Sequence, residues 1–167
     1  MVNADSKIST LKTVQLNGKD ITLRLYDHKK DDKKLVASLF TKMNTEEGLK
    51  ELHEGDQKYL INSKLNFRLV AEYNDELLAT ITLMNVDEFK INSKMTMYSV
   101  VTREDYQGTG VSQLLFDYAC LWAKNLGESE VIVNTDKWNI RAQKFYLKMG
   151  CKNIQETKDQ IIYLKNV

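Results

Sequence analysis

Between an alternating apolar stretch and an apolar helical repeat lies Tyr106-Gln107-Gly108-Thr109-Gly110-Val111-Ser112, the segment of this 167-residue chain best suited to hold a ligand. Its glycines let the backbone turn with N–H groups pointing inward. The helix that follows adds about half a positive charge at its N-terminus, where anions bind. The segment has no lysine, so amides and dipole must hold a phosphate with little help from side chains. No Gly-Lys-Ser/Thr follows, which excludes a Walker loop, and the third glycine of a dinucleotide fingerprint is missing. A Gly-x-Gly alone is equally compatible with a plain strand-to-helix turn. A second cluster follows: Asn139, Ala142, Phe145, Tyr146 and Gly150, with Asn139 suited to cap a helix. Cys120 and Cys151 form no CxxC pair and read as small core hydrophobes. His28 and His53 lack metal-ligand spacing and read as surface or loop-edge residues, so no metal site is predicted.

The elements that must position these residues follow from periodicity. Residues 10–16 and 19–26 flank Asn17-Gly18, a two-residue hairpin signal. Asp31 or Asp32 caps a first helix bearing Leu35, Val36, Leu39, Phe40 and Met43, and the charge run 29–34 reads as its solvated start. A second helical stretch after Thr45 carries Leu49, Leu52, Tyr59 and Leu60. Gly48 and Gly55 weaken it, so two short pieces are expected. Residues 67–73, 77–86 and 95–101 read as a meander of three strands turning at Asn74-Asp75. In the third, Met95, Met97 and Ser99 alternate with Thr96, Tyr98 and Val100. Val111, Leu114, Leu115, Tyr118, Leu121 and Trp122 make an amphipathic helix ended by Gly127. Residues 130–135 form a nearly continuous apolar strand, and a last helix from Asn139 to Gly150 precedes a hairpin of 151–156 and 160–164. The strand–helix–strand passage from 95–101 to 130–135 is a βαβ unit, so those two strands are parallel within a mixed sheet.

Composition sets the outer bounds. The length suits one domain spanning 1–167. Twenty-four basic and 23 acidic residues give a net charge of +1, which gives no reason to expect a nucleic-acid or membrane partner. No apolar run reaches the length of a membrane span, and the first ten residues lack a signal peptide's apolar stretch. A soluble, cytoplasmic protein is expected, monomeric or homodimeric. Proline is absent, so loops turn on Gly, Asn and Asp.

Gln107-x-x-Gly110-x-Ser112 resembles motif A of the GCN5-related N-acetyltransferases (GNAT), in which Arg or Gln is followed at fixed spacing by Gly and then by Gly or Ala. Ser112 departs from that last position but is still small. Asn139-x-x-Ala142-x-x-Phe145-Tyr146-x-x-x-Gly150-Cys151 is similar to the family's second signature, departing only at Cys151, where Phe is usual. The two motifs lie in family order, with one helix and one strand between them. The resemblance is clear over 66–151 and weaker before. It implies an α/β (α+β) fold: a mostly antiparallel mixed sheet with a central parallel βαβ unit, helices on both faces, and a cleft for coenzyme A between splayed strands.

The same resemblance implies an N-acetyltransferase that moves an acetyl group from acetyl-CoA to a primary amine by direct attack, without a metal. Backbone groups of Val101 would pair with the pantetheine arm. Gln107, Gly108, Thr109, Gly110, Val111 and Ser112 would cradle the pyrophosphate, and Asn139 would hydrogen-bond the cofactor. Tyr146 would be the general acid, because a phenol of pKa about 10 stays protonated where a thiol of about 8.5 leaves. A core ring with its hydroxyl at the edge is the other role open to Tyr146. Glu72, Glu104, Asp105 and Asp136 are candidates for the base by type only. Tyr98, Met84, Met95, Met97 and Trp138 are candidates for the acceptor pocket or plain core. Two rival functions stand beside the enzyme: a catalytically degenerate acyl-CoA sensor and a P-loop-like nucleotide binder.

Overall fold

The structure, a computed structural model, describes residues 11–29, 31, 36, 39, 45–86 and 95–167. Strands β1 (Leu11–Leu16) and β2 (Lys19–Leu25) form the hairpin. Asn17 and Gly18 both take positive φ, the condition for a tight turn whose twist matches its strands. The expected first helix falls mostly outside the described residues, as does the N-terminal segment 1–10. Val36 and Leu39 are helical and buried. Helix α1 (Glu46–Tyr59) is one continuous helix, not two pieces. The Thr45 side chain accepts from the Gly48 amide at 3.0 Å, and Glu46 and Glu47 fill the first turn, so a good cap and dipole complement offset the two glycines.

Strands β3 (Phe67–Tyr73), β4 (Glu76–Met84) and β5 (Thr96–Thr102) make the meander. Helix α2 (Val111–Asn125), strand β6 (Glu130–Asp136), helix α3 (Ile140–Lys148) and strands β7 (Lys152–Glu156) and β8 (Gln160–Asn166) complete the chain. Among the described residues they form an eight-stranded sheet ordered β1-β2-β3-β4-β5-β6-β8-β7. Its one parallel pair is β5 with β6, as the βαβ unit requires. That pair is short: Thr96 faces Ile132, Met97 faces Val133, and then the strands part. On its other side β5 stays on β4, with a shift in register between Thr80 and Thr82. Thr80 pairs with Val101 but Thr82 with Tyr98, so Ser99 and Val100 oppose a single residue. Ser99 takes φ 51°, and this bulge ends the simple alternation expected along 95–101.

Helices cover both faces. Leu69, Ala71, Ile81, Leu83, Met97, Val131 and Val133 pack with α2 and with Tyr146 of α3. Val70 and Leu77 point the other way, against Leu52 of α1, Tyr26, Val36 and Leu39. Met95 and Met97 are fully buried and belong to the core rather than to a pocket. Cys120 and Cys151 are buried free thiols. His28 is not a plain surface residue: its ring meets Tyr26 edge-on at 4.9 Å.

The face under α1 also buries charge. Arg68 of β3 donates to Asp56 of α1 at 2.7 Å, with Arg68 8% and Asp56 1% exposed. The Arg68 guanidinium also lies over the Tyr26 ring, 5.4 Å from its centre. Removing one partner leaves the other charge buried and unpaired, which costs about 3–5 kcal/mol. Asp56→Ala should therefore lower unfolding free energy in urea by roughly that amount. A loss below about 1 kcal/mol would mean that water reaches Arg68 and that the pair does not hold α1 to the sheet.

Candidate functional site

The parting of β5 and β6 opens a cleft of about 350 Å³. It is lined by Val100, Val101 and Thr102 of β5, the loop and first turn of α2 from Gln107 to Gln113, and one side of α3. On α3 the lining residues are Arg141, Ala142, Phe145, Tyr146 and Lys148, a stripe at helical spacing. Of the nine residues singled out in the sequence, Val101, Gln107, Gly108, Gly110, Ser112, Asn139 and Tyr146 all face this cleft. Thr109 and Val111 are in the same loop and helix start but do not line it; the Val111 side chain is buried in the core.

The loop is built to present donors. A short 3-10 turn, Glu104–Tyr106, carries the chain off β5, and Gly108 and Gly110 follow at φ 77° and 99°. Gly110 is the N-cap of α2, so no side chain caps the helix, and no acidic residue occupies the first turn. The first-turn amides of any α-helix have no partner within it. Here they open on the cleft, whereas α1 and α3 are capped by Thr45 and Asn139. Ser112 explains its own departure from the family pattern: its hydroxyl is 2.7 Å from that of Thr102 and is hydrogen-bonded back to β5.

Side chains complete the frame. The Gln107 side chain donates to the Thr102 carbonyl at 3.0 Å and accepts from Arg141 of α3, so it ties the loop to both walls. Asn139 accepts from the Ala142 amide at 3.1 Å, which commits its carbonyl oxygen to the cap and leaves its NH₂ as the group available to a ligand. The charged lining residues among those described are Arg141 and Lys148, both cations. Arg141 escapes sequence reasoning because its role depends on Gln107, 34 positions away. The signal that could find it is its place just before Ala142, on the cleft stripe of α3.

Tyr146 is 4% exposed, its ring 5.6 Å from Tyr163, 5.7 Å from Phe145 and 6.3 Å from Phe116. Burial, with smaller contributions from Cys151 and Tyr163, pushes its phenol well above the ordinary value, so it keeps its proton at neutral pH. The carboxylates considered as bases lie elsewhere. Glu72 pairs with Arg24 at 2.6 Å and Asp105 with Arg103 at 2.7 Å, and neither these nor Glu104 and Asp136 line the cleft. Trp138 is 77% exposed, beside Asn139 and outside the lining. No group of His, Cys, Asp and Glu among the described residues could hold a metal ion. No helix among them is long and apolar enough to cross a membrane.

Comparison with known proteins places this geometry. The chain superposes on the GNAT domain of S. lividans PAT with a TM-score of 0.77 at 11% identity, covering 96% of this chain and 99% of that one. A GNAT-family protein of Desulfovibrio desulfuricans gives 0.73 at 16% identity, over 87% and 98%. An aminoglycoside 6'-N-acetyltransferase complexed with coenzyme A gives 0.67 at 14% identity, over 86% and 96%. At such identities these likenesses establish a shared fold. Comparison with the curated proteins returned no match. The sequence model of the Acetyltransferase (GNAT) family matches residues 33–151. With that match over most of its length, the chain belongs to the acetyltransferase (GNAT) family.

Proposed function

We propose that the chain acts as a single-domain N-acetyltransferase, taking the acetyl group of acetyl-CoA to a primary amine of a small molecule or protein. The observation that carries this reading is a coincidence of parts. Strands β5 and β6 separate after Met97 and Val133, and the cleft so formed meets an uncapped helix start, two cations and a buried phenol. Coenzyme A has the matching parts: amides for unpaired strand edges and phosphates for a helix N-terminus.

Each residue then has a defined task. Backbone groups at Val101 pair with the pantetheine amides, and the Asn139 NH₂ adds a hydrogen bond. Amides of Gly108, Gly110, Val111 and Ser112 receive the pyrophosphate, with Gln107 holding the loop to Thr102 and Thr109 shaping its turn. Arg141 adds a positive charge beside them. The amine nitrogen attacks the thioester carbonyl, a C–N bond forms and the C–S bond breaks. Tyr146 donates its proton to the departing sulfur, and the proton that the nitrogen, attacking as the free amine, sheds once the C–N bond has formed restores it through water. No described carboxylate lines the cleft, which favours water as the carrier. The Ser112–Thr102 hydrogen bond and the buried Cys151 absorb the two departures from the family pattern, so neither favours a degenerate sensor.

Coenzyme A should raise the melting temperature. At 100 times its dissociation constant a native-state ligand adds about 2.7 kcal/mol. Adenosine serves as the control; absence of any shift at millimolar coenzyme A would overturn the whole assignment.

Tyr146→Phe keeps the ring and removes the hydroxyl. Turnover should fall by about 10²–10⁴-fold while coenzyme A affinity stays close to wild type. The assay follows thiol release with an acceptor found by an amine panel. Unchanged turnover would return Tyr146 to a purely packing role.

Arg141→Ala tests the charge at the cleft. At low ionic strength coenzyme A binding should weaken about three- to tenfold, and the difference should shrink as salt screens the exposed guanidinium. Equal losses at low and high salt would mean that Arg141 acts only by bracing Gln107.

A further inference from the structure

The hairpin turn between β1 and β2 reaches the phosphate loop from behind. Asn17 donates through Nδ2 to the Thr109 carbonyl at 3.2 Å, across 92 positions of sequence. Lys19 donates to the Tyr106 hydroxyl at 3.2 Å, and its ammonium lies over two rings, 4.9 Å from the centre of Tyr106 and 5.0 Å from that of Tyr73. The Leu16 side chain closes on Gly110, where an added Cβ would come within 3.3 Å of it. Three residues in and beside one turn, Leu16, Asn17 and Lys19, thus meet residues 110, 109 and 106. The family match begins at residue 33, so the hairpin lies outside it.

We infer that Asn17 and Lys19 are positioning residues of the phosphate cradle, the hairpin being the brace that aims the loop's amides. The inference rests on the cofactor assignment above. Its physical basis is the planar trans peptide, in which C=O and N–H point in opposite directions. The Thr109 carbonyl and the Gly110 amide share one such plane. Asn17 holds that carbonyl toward the hairpin, so the Gly110 N–H turns toward the cleft, which Gly110 lines. Without that grip the plane is held less firmly, because the Gly110 φ about which it turns can take either sign. The Thr109 amide and hydroxyl both go to the Tyr106 carbonyl, so residue 109 depends on residue 106 for its anchor, while Gln107 separately ties the loop to Thr102 and Arg141. Lys19 supplies that anchor by holding Tyr106 itself.

Turn chemistry makes the test selective. Asn, Asp and Gly all suit a tight hairpin turn at position 17, so a purely turn-forming role predicts that Asn17→Gly and Asn17→Asp behave like wild type. A positioning role predicts a graded loss. Asn17→Gly removes the donor and should raise the dissociation constant of coenzyme A about two- to tenfold, the size of one neutral hydrogen bond. Asn17→Asp puts a carboxylate against the Thr109 carbonyl and should weaken binding further. Lys19→Met should act in the same direction, with partial rescue by Lys19→Arg. Calorimetry with coenzyme A gives the affinities. Amide nitrogen–proton spectra of the ligand-free proteins give a second readout: the Gly110 resonance should move in Asn17→Gly while those of β6 and β8 do not. Affinities within twofold of wild type for both Asn17 variants, at an unmoved Gly110 resonance, would overturn the inference. If wild type itself binds no coenzyme A, the cofactor assignment fails, and the Gly110 resonance alone then decides whether the hairpin aims the loop.

Discussion

Two parallel strands that pair for two residues and then separate impose the requirement on which the rest of this molecule turns. Among the described residues, β5 beyond Met97 pairs with a strand on one side only, β4, and β6 beyond Val133 pairs only with β8. Each strand so presents a row of amide and carbonyl groups to the gap, and buried backbone groups without partners are expensive. The bulge at Ser99 contributes by shifting the register of β5 on β4 at the level where the gap opens. Helix α3 starts a few residues past the end of β6 and lays Phe145 and Tyr146 along the opening. A ligand carrying its own peptide-like amides satisfies such an edge without closing the sheet.

The three described helices show where polarity has been left unspent. Thr45 and Asn139 satisfy the starts of α1 and α3, while α2 begins on a glycine in left-handed conformation and has neither cap nor acidic first turn. With glycine at the N-cap, such a start is less stable than a side-chain-capped one by roughly a few tenths of a kcal/mol. The cost is borne at a helix whose uncapped start opens on the cleft, where the charged lining residues among those described are cations. Compensation is local. Thr102 takes the Ser112 hydroxyl, Gln107 links Thr102 to Arg141, and α2 buries Val111, Leu115, Phe116 and Ala119 in the larger core. The helix is held by its apolar face, so its polar end is free to serve a ligand.

What could be read in the sequence, and what could not, divides by range of interaction. The Asn17-Gly18 turn, the uncapped glycine loop and the Asn139 cap are local patterns, and each signals its own backbone conformation. The continuity of α1 was missed because helix propensity counts Gly48 and Gly55 against it, while the stabilising contact, Arg68 on Asp56, comes from a strand further along the chain. The Ser99 bulge carries no glycine and is set by pairing with β4, so alternation alone could not disclose it. Arg141 and the grip of Asn17 on Thr109 were hidden for the same reason: each joins segments whose proximity only the folded sheet creates. The residues recognised in the site are those whose function follows from short motifs, and those overlooked are the ones that hold the motifs in place.

Tyr146 joins the two halves of the argument, because it belongs to the core and to the cleft at once. Its ring is packed among Phe116, Phe145 and Tyr163, so packing places its hydroxyl. The same burial that fixes the ring raises the phenol's pKa, which makes the group a reluctant acid when the site is at rest. Reluctance suits a donor that must stay protonated until negative charge develops on sulfur beside it; a more acidic group would reach that moment already ionised. A proton then moves because the neighbouring charge has changed, not because the phenol is acidic. Packing therefore sets both the position and the protonation state of the proposed acid, and the core that stabilises the fold is also the preorganised wall of the site.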